Sequence, residues 1–579
     1  MPDTPLPPPS RNEGIKTRSR ALRGTIAEGM TRHETGALAE DDTQLTKFHG
    51  FYQQDDRDMR PERGRKRMEP AISFMARLRI PGGRLTPGQW LQLAEIARER
   101  ANGTIRLTTR ETIQYHGIIK GNLRPALQAV NAAMLDTLAA CGDVNRNVIC
   151  ATNPHESPAH AATLVLAKEL SDGLLPKTRA WHEIWLGEDK VAGGEPEEEP
   201  LYGLTYLPRK FKIAIAVPPS NDVDVFAHDL GYIAIIEDSV LVGYDVSVGG
   251  GMGMTHGEPD TFPRTADLMG FCRQEQALQV AEAVIAVQRD HGDRSVRKHA
   301  RLKYTIERGG LDWFRGEVEA RLGWRLLPPR NAAFTSNVDR LGWYESLDGT
   351  WQFGLFVENG RIHDLPGRRS LSGLRAIAAV HHGEFILTAN QNLVIAGVPP
   401  ESKPEIAALL ADHGMDTGAS PLRQGAMACV ALPTCGLALA ESERYMPDLV
   451  TALDGVMADA GLQRSEIVLR MTGCPNGCAR PYLAEIALVG RGPGRYNLYL
   501  GGAFNGTRLN KLYRRDVDHA TVVGTLRPLL QDYAAAREPG ESFGDFVIRR
   551  GHIQATTAGN RFHLDLDPAL TTAAPETAR

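Results

Sequence analysis

Four cysteines in the last third of the chain have the spacing of metal ligands. Five residues separate Cys429 from Cys435, and three separate Cys474 from Cys478. Four thiolates that converge on one point can bind a [4Fe-4S] cluster, which carries electrons one at a time. A structural zinc site is one alternative, although the five-residue loop is longer than a zinc knuckle usually has. Unrelated buried thiols are the other alternative.

The remaining cysteines and the composition favour a protein of the reducing cytoplasm. Cys141, Cys150 and Cys272 are unpaired in the sequence and are predicted to be buried as small apolar groups. Seven cysteines in 579 residues is a low and odd number, which favours free or ligating thiols over a disulfide framework. No apolar run has the length of a signal peptide or of a membrane span, so we predict no membrane association.

An internal repeat indicates how the chemistry-bearing residues are positioned. The segment GTIRLTTRETIQYHG begins at Gly103, and GEFILTANQNLVIAG begins at Gly383. The two align without a gap, and both alternate apolar with polar residues as strands do. Helical stretches flank both copies. A duplicated unit of this size predicts two halves about a pseudo-two-fold axis, with a site between them.

The first copy of the repeat carries cations where the second carries amides and apolar groups. A solvent-facing strand surface is one interpretation, but further basic clusters favour binding of an anion. A polycarboxylate cofactor or a small oxyanion fits better than nucleic acid, because the chain has a net charge of -4 and lacks interleaved aromatic residues. The alternate residues of the first copy are Arg106, Thr108, Arg110, Thr112, Gln114 and His116, and the other clusters contribute Arg77, Arg146, Arg209, Lys210, Lys212 and Arg301.

These motifs, in this order, resemble the siroheme sulfite/nitrite reductase family, over residues 47–551. The resemblance implies an α+β, pseudo-two-fold duplicated architecture with two ferredoxin-like half-domains and two larger α/β siroheme- and cluster-binding domains. The motifs that carry it are RLRIPGG, IRLTTRETIQYHGI, NRNVICATNP, TYLPRKFK, LTANQNLVIAG, MACVALPTC, TGCPNGCARPYLAE and PGRYNLYLGG.

The resemblance and the repeat together divide the chain into five units. The first, 1–70, is predicted to be a partly disordered N-terminal arm and a candidate docking segment for a flavoprotein. The half-domains are predicted at 71–140 and 346–415, and the larger domains at 141–345 and 416–579.

The resemblance also implies roles for individual residues. It implies a [4Fe-4S] cluster on Cys429, Cys435, Cys474 and Cys478, with the Cys478 sulfur also an axial ligand of the siroheme iron. At Arg301 we would expect Lys from better-known members, and a structural role is the alternative for His116. Sulfite binding and proton donation are implied for Arg77, Arg146, Lys210 and Lys212, and cofactor contacts for Arg106, Arg110, Gln114, His116, Arg209, Arg301, Gln391 and Asn476.

The activity implied is the six-electron reduction of sulfite to sulfide in cysteine biosynthesis. Because no flavin or NADPH domain is evident, electrons are expected from an NADPH-oxidising flavoprotein partner that carries FAD and FMN. A ferredoxin-dependent sulfite or nitrite reductase is the alternative, and Lys212 favours sulfite because nitrite enzymes tend to carry Asn there. A zinc-stabilised nucleic-acid-binding protein is a third hypothesis.

Overall fold

Four five-stranded β-sheets carry the fold in the computed structural model, which describes residues 7–177, 184–186, 189–192 and 199–566. The strands are β1 (Phe51–Asp55), β2 (Ile72–Arg77), β3 (Arg84–Leu85), β4 (Ile105–Leu107), β5 (Ile113–Ile118), β6 (Ile149–Cys150), β7 (Ile184–Leu186), β8 (Asp189–Ala192), β9 (Ile213–Ala216), β10 (Leu230–Glu237), β11 (Val240–Val248), β12 (Asp267–Cys272), β13 (Gly342–Glu345), β14 (Trp351–Leu355), β15 (Arg361–Ile362), β16 (Asp364–Leu365), β17 (Arg368–Arg369), β18 (Glu384–Leu387), β19 (Leu393–Val398), β20 (Ala426–Ala428), β21 (Leu469–Thr472), β22 (Ile486–Gly492), β23 (Arg495–Leu500) and β24 (Lys511–Val517).

Helices pack on these sheets and begin where the sequence offers caps. The Thr86 side chain and Gln89 form a reciprocal capping box at the start of one long helix. Ser157 and Asp518 cap two others through their side-chain oxygens. The helices are α1 (Arg11–Arg18), α2 (Ile26–Thr31), α3 (Asp42–Leu45), α4 (Arg60–Arg65), α5 (Pro87–Arg100), α6 (Lys120–Ala132), α7 (Pro158–Gly173), α8 (Ala277–His291), α9 (Leu302–Gly309), α10 (Leu311–Leu322), α11 (Ser370–Val380), α12 (Lys403–Asp412), α13 (Pro421–Gln424), α14 (Met446–Asp459), α15 (His519–Ala536) and α16 (Phe543–Arg549).

The sheets form two pairs with identical topology. The small sheets have the orders β1-β2-β5-β4-β15 and β13-β14-β19-β18-β3. The large sheets have the orders β6-β9-β10-β11-β12 and β20-β21-β22-β23-β24. In each large sheet the first two pairings are parallel and the last two are antiparallel. This correspondence confirms the predicted duplicated α+β architecture.

The two halves exchange strands at the centre of the molecule. Strand β3 of the first half pairs with β18 of the second, with Leu85 opposite Phe385. Strand β15 of the second half pairs with β4 of the first, with Arg361 opposite Arg106. One hydrophobic core lies under both small sheets, and the Trp90 and Phe385 rings meet there at 5.1 Å. The halves therefore hold one another, and side chains from both reach the central region.

Each copy of the repeat is a hairpin, not a single strand. Strands β4 and β5 are antiparallel, with Arg106 opposite Gln114, and β18 and β19 match them. The prediction of one continuous face from Arg106 to His116 is therefore wrong. Glu111 and Gln391 occupy equivalent turn positions, with φ values of 49° and 71°. Arg106 and Gln114 nevertheless share a face, because directly opposed residues point to the same side of a sheet.

The N-terminal segment is folded, which corrects the prediction of a partly disordered arm over 1–70. Ile15, Leu22 and Leu45 are buried in the core of the first large sheet. Lys16 is buried with them and lies 2.5 Å from Glu13 and 3.7 Å from Asp143. Strand β1 is an edge strand of the first small sheet. The segment is poor in apolar residues, but Ile15, Leu22 and Leu45 anchor it in the core. Residues 1–6 and 567–579 lie outside the described part of the chain.

The prediction that the three isolated cysteines are buried is confirmed. Cys141, Cys150 and Cys272 are buried free thiols. Cys150 ends β6 as Cys429 follows β20, so the two occupy matching places in the two halves. Among the described residues, no helix is both long and apolar enough to cross a membrane.

Deleting residues 1–45 is expected to destabilise the protein even when no partner is present. The deletion removes three apolar anchors from the first core, each worth about 2–5 kcal/mol, and it leaves Asp143 without Lys16. Thermal unfolding should show an apparent Tm lower by about 10 °C or more. Deletion of residues 1–6 is the control and should leave Tm unchanged. An unaltered Tm after the longer deletion would contradict the burial of these anchors.

Candidate functional site

The four predicted cysteine ligands lie at one edge of the second large sheet. Cys429 directly follows β20, and Cys474 follows β21 after one intervening residue. Because β20 and β21 are parallel neighbours, their carboxyl ends meet at the same edge. Cys435 and Cys478 lie on the loops that continue from these ends. The Gly473 N–H points at the Cys429 sulfur at 3.4 Å, which ties the two loops together.

The four thiols influence one another electrostatically. Burial raises the pKa of Cys429, Cys435 and Cys474, and in each case the nearby Cys478 thiol raises it further. For Cys474 the pKa rises to about 12. Within the described ranges, no three Cys, His, Asp or Glu side chains are placed to hold a single metal ion. The mutual effects on pKa place the four thiols in one region of the site.

A buried ion cluster fixes the loop that carries Cys478. Asp224 is fully buried and accepts from Arg470 at 2.6 Å and from Arg480 at 2.5 Å. Burial alone would raise the pKa of Asp224, but the two guanidinium groups hold it below its usual value. Arg480 also donates to the Ala389 carbonyl at 3.0 Å. The Thr109 hydroxyl donates to the Cys478 carbonyl at 3.1 Å, so the first half of the chain also grips this loop.

The first half contributes a dense group of cations, which we call the cation group: Arg110, Arg146, Arg209, Lys210, Lys212 and Arg301. Burial lowers the pKa of Lys210 well below its usual value, and repulsion from Arg209, Arg146 and Arg301 lowers it further. Burial and then repulsion from Lys210 and Arg110 do the same to Lys212. The Cys478 thiol acts in the opposite direction on Lys210, which places this ammonium near the fourth cysteine.

Lys210 and Lys212 are largely desolvated. Both keep part of their surface accessible, yet desolvation dominates their pKa values. Neither ammonium makes a hydrogen bond or an ion pair with any residue that the structure describes. The main chain of Lys212 is held in place, since its N–H donates to the Asp229 carboxylate at 3.0 Å. Two desolvated, unpaired ammonium groups are costly unless an anion joins them.

Arg77 and Arg146 converge on Tyr52, which sequence reasoning missed. Arg77 lies opposite Gln114 in the sheet and donates toward the Cys141 sulfur at 3.3 Å. Arg146 donates to the Gly142 carbonyl at 3.2 Å. Both guanidinium groups act on the buried Tyr52 hydroxyl, whose pKa burial raises to about 12. The sequence FYQQD has no alternation of apolar and polar residues after Phe51, so no local pattern marked Tyr52.

Arg106 and Arg110 are buried in different surroundings. Arg106 donates to the Ala428 carbonyl at 2.8 Å and lies 3.2 Å from Glu443. Arg110 lies 3.2 Å from His228 and donates to the Ile213 carbonyl at 2.9 Å. Burial lowers the pKa of Arg106 to about 10 and that of Arg110 to about 9, so both stay charged at neutral pH.

His116 and Gln114 belong to a hydrogen-bonded group behind the cations. The two ring nitrogens of His116 lie 3.3 Å from the side-chain oxygens of Gln54 and Gln114. Burial lowers the pKa of His116 to about 3, with Arg361 and Arg106 lowering it further. The imidazole is therefore neutral at physiological pH.

The remaining predicted site residues line the same region from both halves. Arg301 forms a two-pronged ion pair with the fully buried Asp229, at 2.8 and 2.9 Å. Arg209 lies 3.9 Å from Asp143. From the second half, Gln391 donates to the Ala428 carbonyl at 3.0 Å, and Asn476 donates to the Cys474 sulfur at 3.4 Å. Gln391 and Asn476 thus support the cysteine loops.

Polar atoms left without partners fit an anionic cofactor and an iron–sulfur cluster. Arg106 Nη1, Arg110 Nε and the Gln391 side-chain oxygen are buried with no hydrogen-bond partner among the described residues, whereas Arg106 Nε faces the Glu443 carboxylate at 3.2 Å. Buried guanidinium N–H groups are satisfied best by carboxylates. Siroheme carries several carboxylates, and a four-iron cluster takes four thiolate ligands. The donors and the thiols therefore fit both groups.

Lys303 and the glycine-rich loop after β11 lie beside the CPNGC segment, although neither is among the predicted site residues. The Lys303 ammonium is fully buried and donates to the carbonyls of Gly253 at 2.8 Å and Gly251 at 3.2 Å. A Cβ on Gly250 would come within 2.2 Å of the Phe226 carbonyl, so this position requires glycine. The loop touches the CPNGC segment, where Met254 donates to the Pro475 carbonyl at 2.9 Å.

Comparison with known proteins gives a consistent result. The profile described as "Nitrite/Sulfite reductase ferredoxin-like half domain" matches residues 68–133 and 344–413. The profile described as "Nitrite and sulphite reductase 4Fe-4S domain" matches residues 167–326, which are in the first half and exclude the four ligand cysteines.

Curated relatives resemble nearly the whole chain. A protein named sulfite reductase [NADPH] hemoprotein beta-component from Methylobacterium sp. (strain 4-46) is 61% identical over 96% of this chain and 92% of its own length. One of the same name from Chromohalobacter salexigens is 59% identical over 95% of this chain and 97% of its own length. The solved structure of Mycobacterium tuberculosis NirA protein is 25% identical and superposes with a TM-score of 0.77, over 94% of this chain and 96% of that one.

Asp224→Asn is expected to destabilise the loop that carries Cys478. The change leaves two buried guanidinium groups without their anion, which costs about 3–5 kcal/mol of unfolding free energy. Asp459→Asn is the matched control, because Asp459 pairs with Arg527 at 2.9 Å on the surface and its loss costs about 1 kcal/mol or less. Urea unfolding measures both. Equal losses in the two variants would contradict a structural role for the buried cluster.

Proposed function

We propose that this chain, which belongs to the nitrite and sulfite reductase family, reduces sulfite to sulfide with six electrons at a siroheme coupled to a [4Fe-4S] cluster. The observation that carries this proposal is the cation group, with its unpaired Lys210 and Lys212, beside the Cys478 thiol. One half of the molecule offers positive charge and protons, and the other offers four iron ligands. Relatives matched over almost their whole length carry the sulfite reductase name.

The residues that would hold the cofactors come from both halves. Cys429, Cys435, Cys474 and Cys478 would bind the cluster, with Cys478 shared between the cluster and the siroheme iron. When bound, the two groups supply electrons singly to a substrate. The cofactor carboxylates would be held by Arg106, Arg110, Arg209 and Arg301, with Gln114, His116, Gln391 and Asn476 supporting these contacts.

Sulfite would be bound by Arg77, Arg146, Lys210 and Lys212. Guanidinium groups match the oxygens of an oxyanion, and the ammonium groups add compact charge. Lys210 and Lys212 also suit proton donation, because an ammonium whose pKa lies below its usual value gives up its proton more readily. Protons delivered to the sulfite oxygens let these leave as water, while the remaining cations stabilise the charge that develops.

We propose that another protein supplies the electrons to this chain. The names of the relatives specify NADPH, and we assign its oxidation to a separate flavoprotein that carries FAD and FMN. The low cysteine count and unpaired thiols support a cytoplasmic location. We further propose that the sulfide is used to assimilate sulfur for cysteine biosynthesis.

Lys212→Asn is expected to lower sulfite turnover about 100-fold or more, because it removes a charge and a proton donor from the substrate. Siroheme absorption and iron content should stay close to wild type. Lys298→Asn is the control, since Lys298 lies on the surface and pairs with Glu258; it should keep full activity. Loss of siroheme in the Lys212 variant, with activity per siroheme intact, would make Lys212 a cofactor contact instead.

The affinity for sulfite is expected to fall with rising pH more steeply in the wild type than in Lys212→Arg. A bound anion favours the charged ammonium, so binding takes up a proton once pH exceeds the lowered pKa of free Lys212. An arginine in the same surroundings keeps its proton to a higher pH than a lysine does, because its intrinsic pKa is higher. The dissociation constant should be measured spectroscopically at pH values from about 6 to about 10, with the ratio of the two proteins cancelling the titration of sulfite itself. A constant ratio would contradict titration of Lys212 on binding.

Cys478→Ser is expected to abolish the electronic coupling between siroheme and cluster. The serine hydroxyl is a poor ligand for iron compared with a thiolate. Absorption and electron paramagnetic resonance spectra should lose the coupled signature, whereas Cys150→Ser, at the place in the first half that matches Cys429, should retain it. A coupled spectrum in the Cys478 variant would overturn the shared-ligand assignment.

A further inference from the structure

Lys303 is a buried lysine outside the cation group, and binding of sulfite or of the cofactor carboxylates does not account for it. It lies in the first turn of α9, two residues after Arg301, and it is fully buried. Asp229, the nearby carboxylate, is already paired with Arg301 at 2.8 Å. Lys303 itself forms no direct ion pair within the ranges that the structure describes. A buried ammonium without a carboxylate is costly, so other contacts must stabilise it.

Backbone carbonyls of one loop accept hydrogen bonds from all three N–H groups of Lys303. The ammonium donates to the carbonyls of Gly253 at 2.8 Å, of Gly251 at 3.2 Å and of Phe262. An ammonium has three donors and no acceptor, whereas a neutral amine would turn its lone pair toward one of these oxygens. Burial lowers the pKa of Lys303 well below its usual value, but the three acceptors together match only the protonated form.

The loop that accepts these hydrogen bonds, which we call the glycine-rich loop (residues 249–262), packs against the CPNGC segment. The Met254 N–H donates to the Pro475 carbonyl at 2.9 Å. A Cβ on Gly253 would come within 3.2 Å of the Asn476 carbonyl oxygen, so the two backbones are in close contact. The lysine therefore holds the backbone of one loop directly against the backbone of the other.

Asn476 connects this contact to the cysteine ligands. It lies between Cys474 and Cys478 in the sequence, and its side-chain N–H donates to the Cys474 sulfur at 3.4 Å. Nearby charge, hydrogen bonds to the sulfurs and solvent exposure set the reduction potential of an iron–sulfur cluster. Lys303 supplies a charge, and through the Gly253 carbonyl it supports the loop that covers the Asn476 hydrogen bond.

We propose that Lys303 is a positioning residue that makes the [4Fe-4S] cluster easier to reduce, because its ammonium holds the glycine-rich loop against the CPNGC segment and places a fixed positive charge behind it. The inference rests on the proposed function. Each electron that enters the cluster makes it more negative, and a buried positive charge stabilises that form with little screening. No bond forms or breaks at Lys303, which keeps its proton throughout. The charge thus supports every one-electron step without being consumed.

The test is Lys303→Met, which removes the charge and keeps a side chain of similar length. The protein is purified with its cofactors, and its cluster is titrated with a chemical reductant while the electron paramagnetic resonance signal is followed. The reduction potential should fall by about 59 mV or more, which is a tenfold change in a one-electron equilibrium. Lys303→Arg keeps the charge and the N–H donors and should stay closer to wild type. Arginine disturbs the packing more than methionine does, so a shift confined to Lys303→Met identifies the charge as its cause.

Lys403→Met is the matched control. Lys403 is half-buried over the rings of Trp343 and Trp351, so it too is an ammonium held by groups other than a carboxylate. Trp351 lies opposite Val398, at the end of the second small sheet away from the Gln391 turn. The control removes the same charge and should leave the reduction potential at the wild-type value. An equal shift in the control, or an unchanged potential in Lys303→Met, would overturn the proposal.

Thermal unfolding of each protein shows which variants fold. If Lys303→Met gives no folded protein, Lys303→Gln is held to the same expectation, since its amide can still donate to two of the carbonyls. If neither neutral variant folds while Lys303→Arg does, the charge serves folding instead of the cluster, and the inference is wrong.

The outcomes also separate this inference from the function on which it rests. If the purified wild type carries no cluster, the proposed function fails. If the wild type carries a cluster and reduces sulfite, but the neutral variants have its reduction potential, only the role of Lys303 fails.

Discussion

Positive charge in the cation group, with too few carboxylates among the described residues beside it to balance it, is the constraint on which the site depends. Asp229 is paired with Arg301 and Asp143 lies beside Arg209, so the Lys210 and Lys212 ammonium groups have no partner in the part of the chain that the structure describes. Burying charge without a counter-ion is costly. An anionic cofactor and an oxyanion substrate together supply the negative charge that the chain does not, so binding and electrostatic stability are coupled.

The duplicated architecture explains how the parts of the site that come from the two halves are held in fixed positions. Strands β3 and β15 cross between the halves, so neither small sheet is complete without the other half. The repeat then diverges at matching positions. Glu111 in the first half accepts from the Cys150 N–H at 3.1 Å, whereas Gln391 in the second donates to the carbonyl next to Cys429. The first half of the chain supplies most of the cations, and the second half supplies the four thiols.

Much of this was predictable from the sequence, and the failures have physical reasons. The cysteine spacing and the repeat predicted a shared thiol region and a duplicated α+β fold, but spacing alone left zinc open because it does not determine sulfur–sulfur distances. The strand exchange was not predicted, since a two-residue strand carries no periodicity. The N-terminal segment was misread because low apolar content concealed three buried anchors. The pairing of Asp224 with Arg470 joins residues 246 positions apart, which no local pattern signals.

The central claim is that the two halves form one site that takes sulfite to sulfide. The most direct measurement counts electrons during turnover: the purified protein with its cofactors is reduced by a calibrated one-electron reductant, sulfite is added, and sulfide is quantified while the siroheme absorption is followed. We predict six electrons consumed for each sulfide released, with a siroheme spectrum that changes when sulfite binds. Oxidation of the reduced protein by sulfite without release of sulfide would contradict the account. A protein that binds no siroheme would also contradict it.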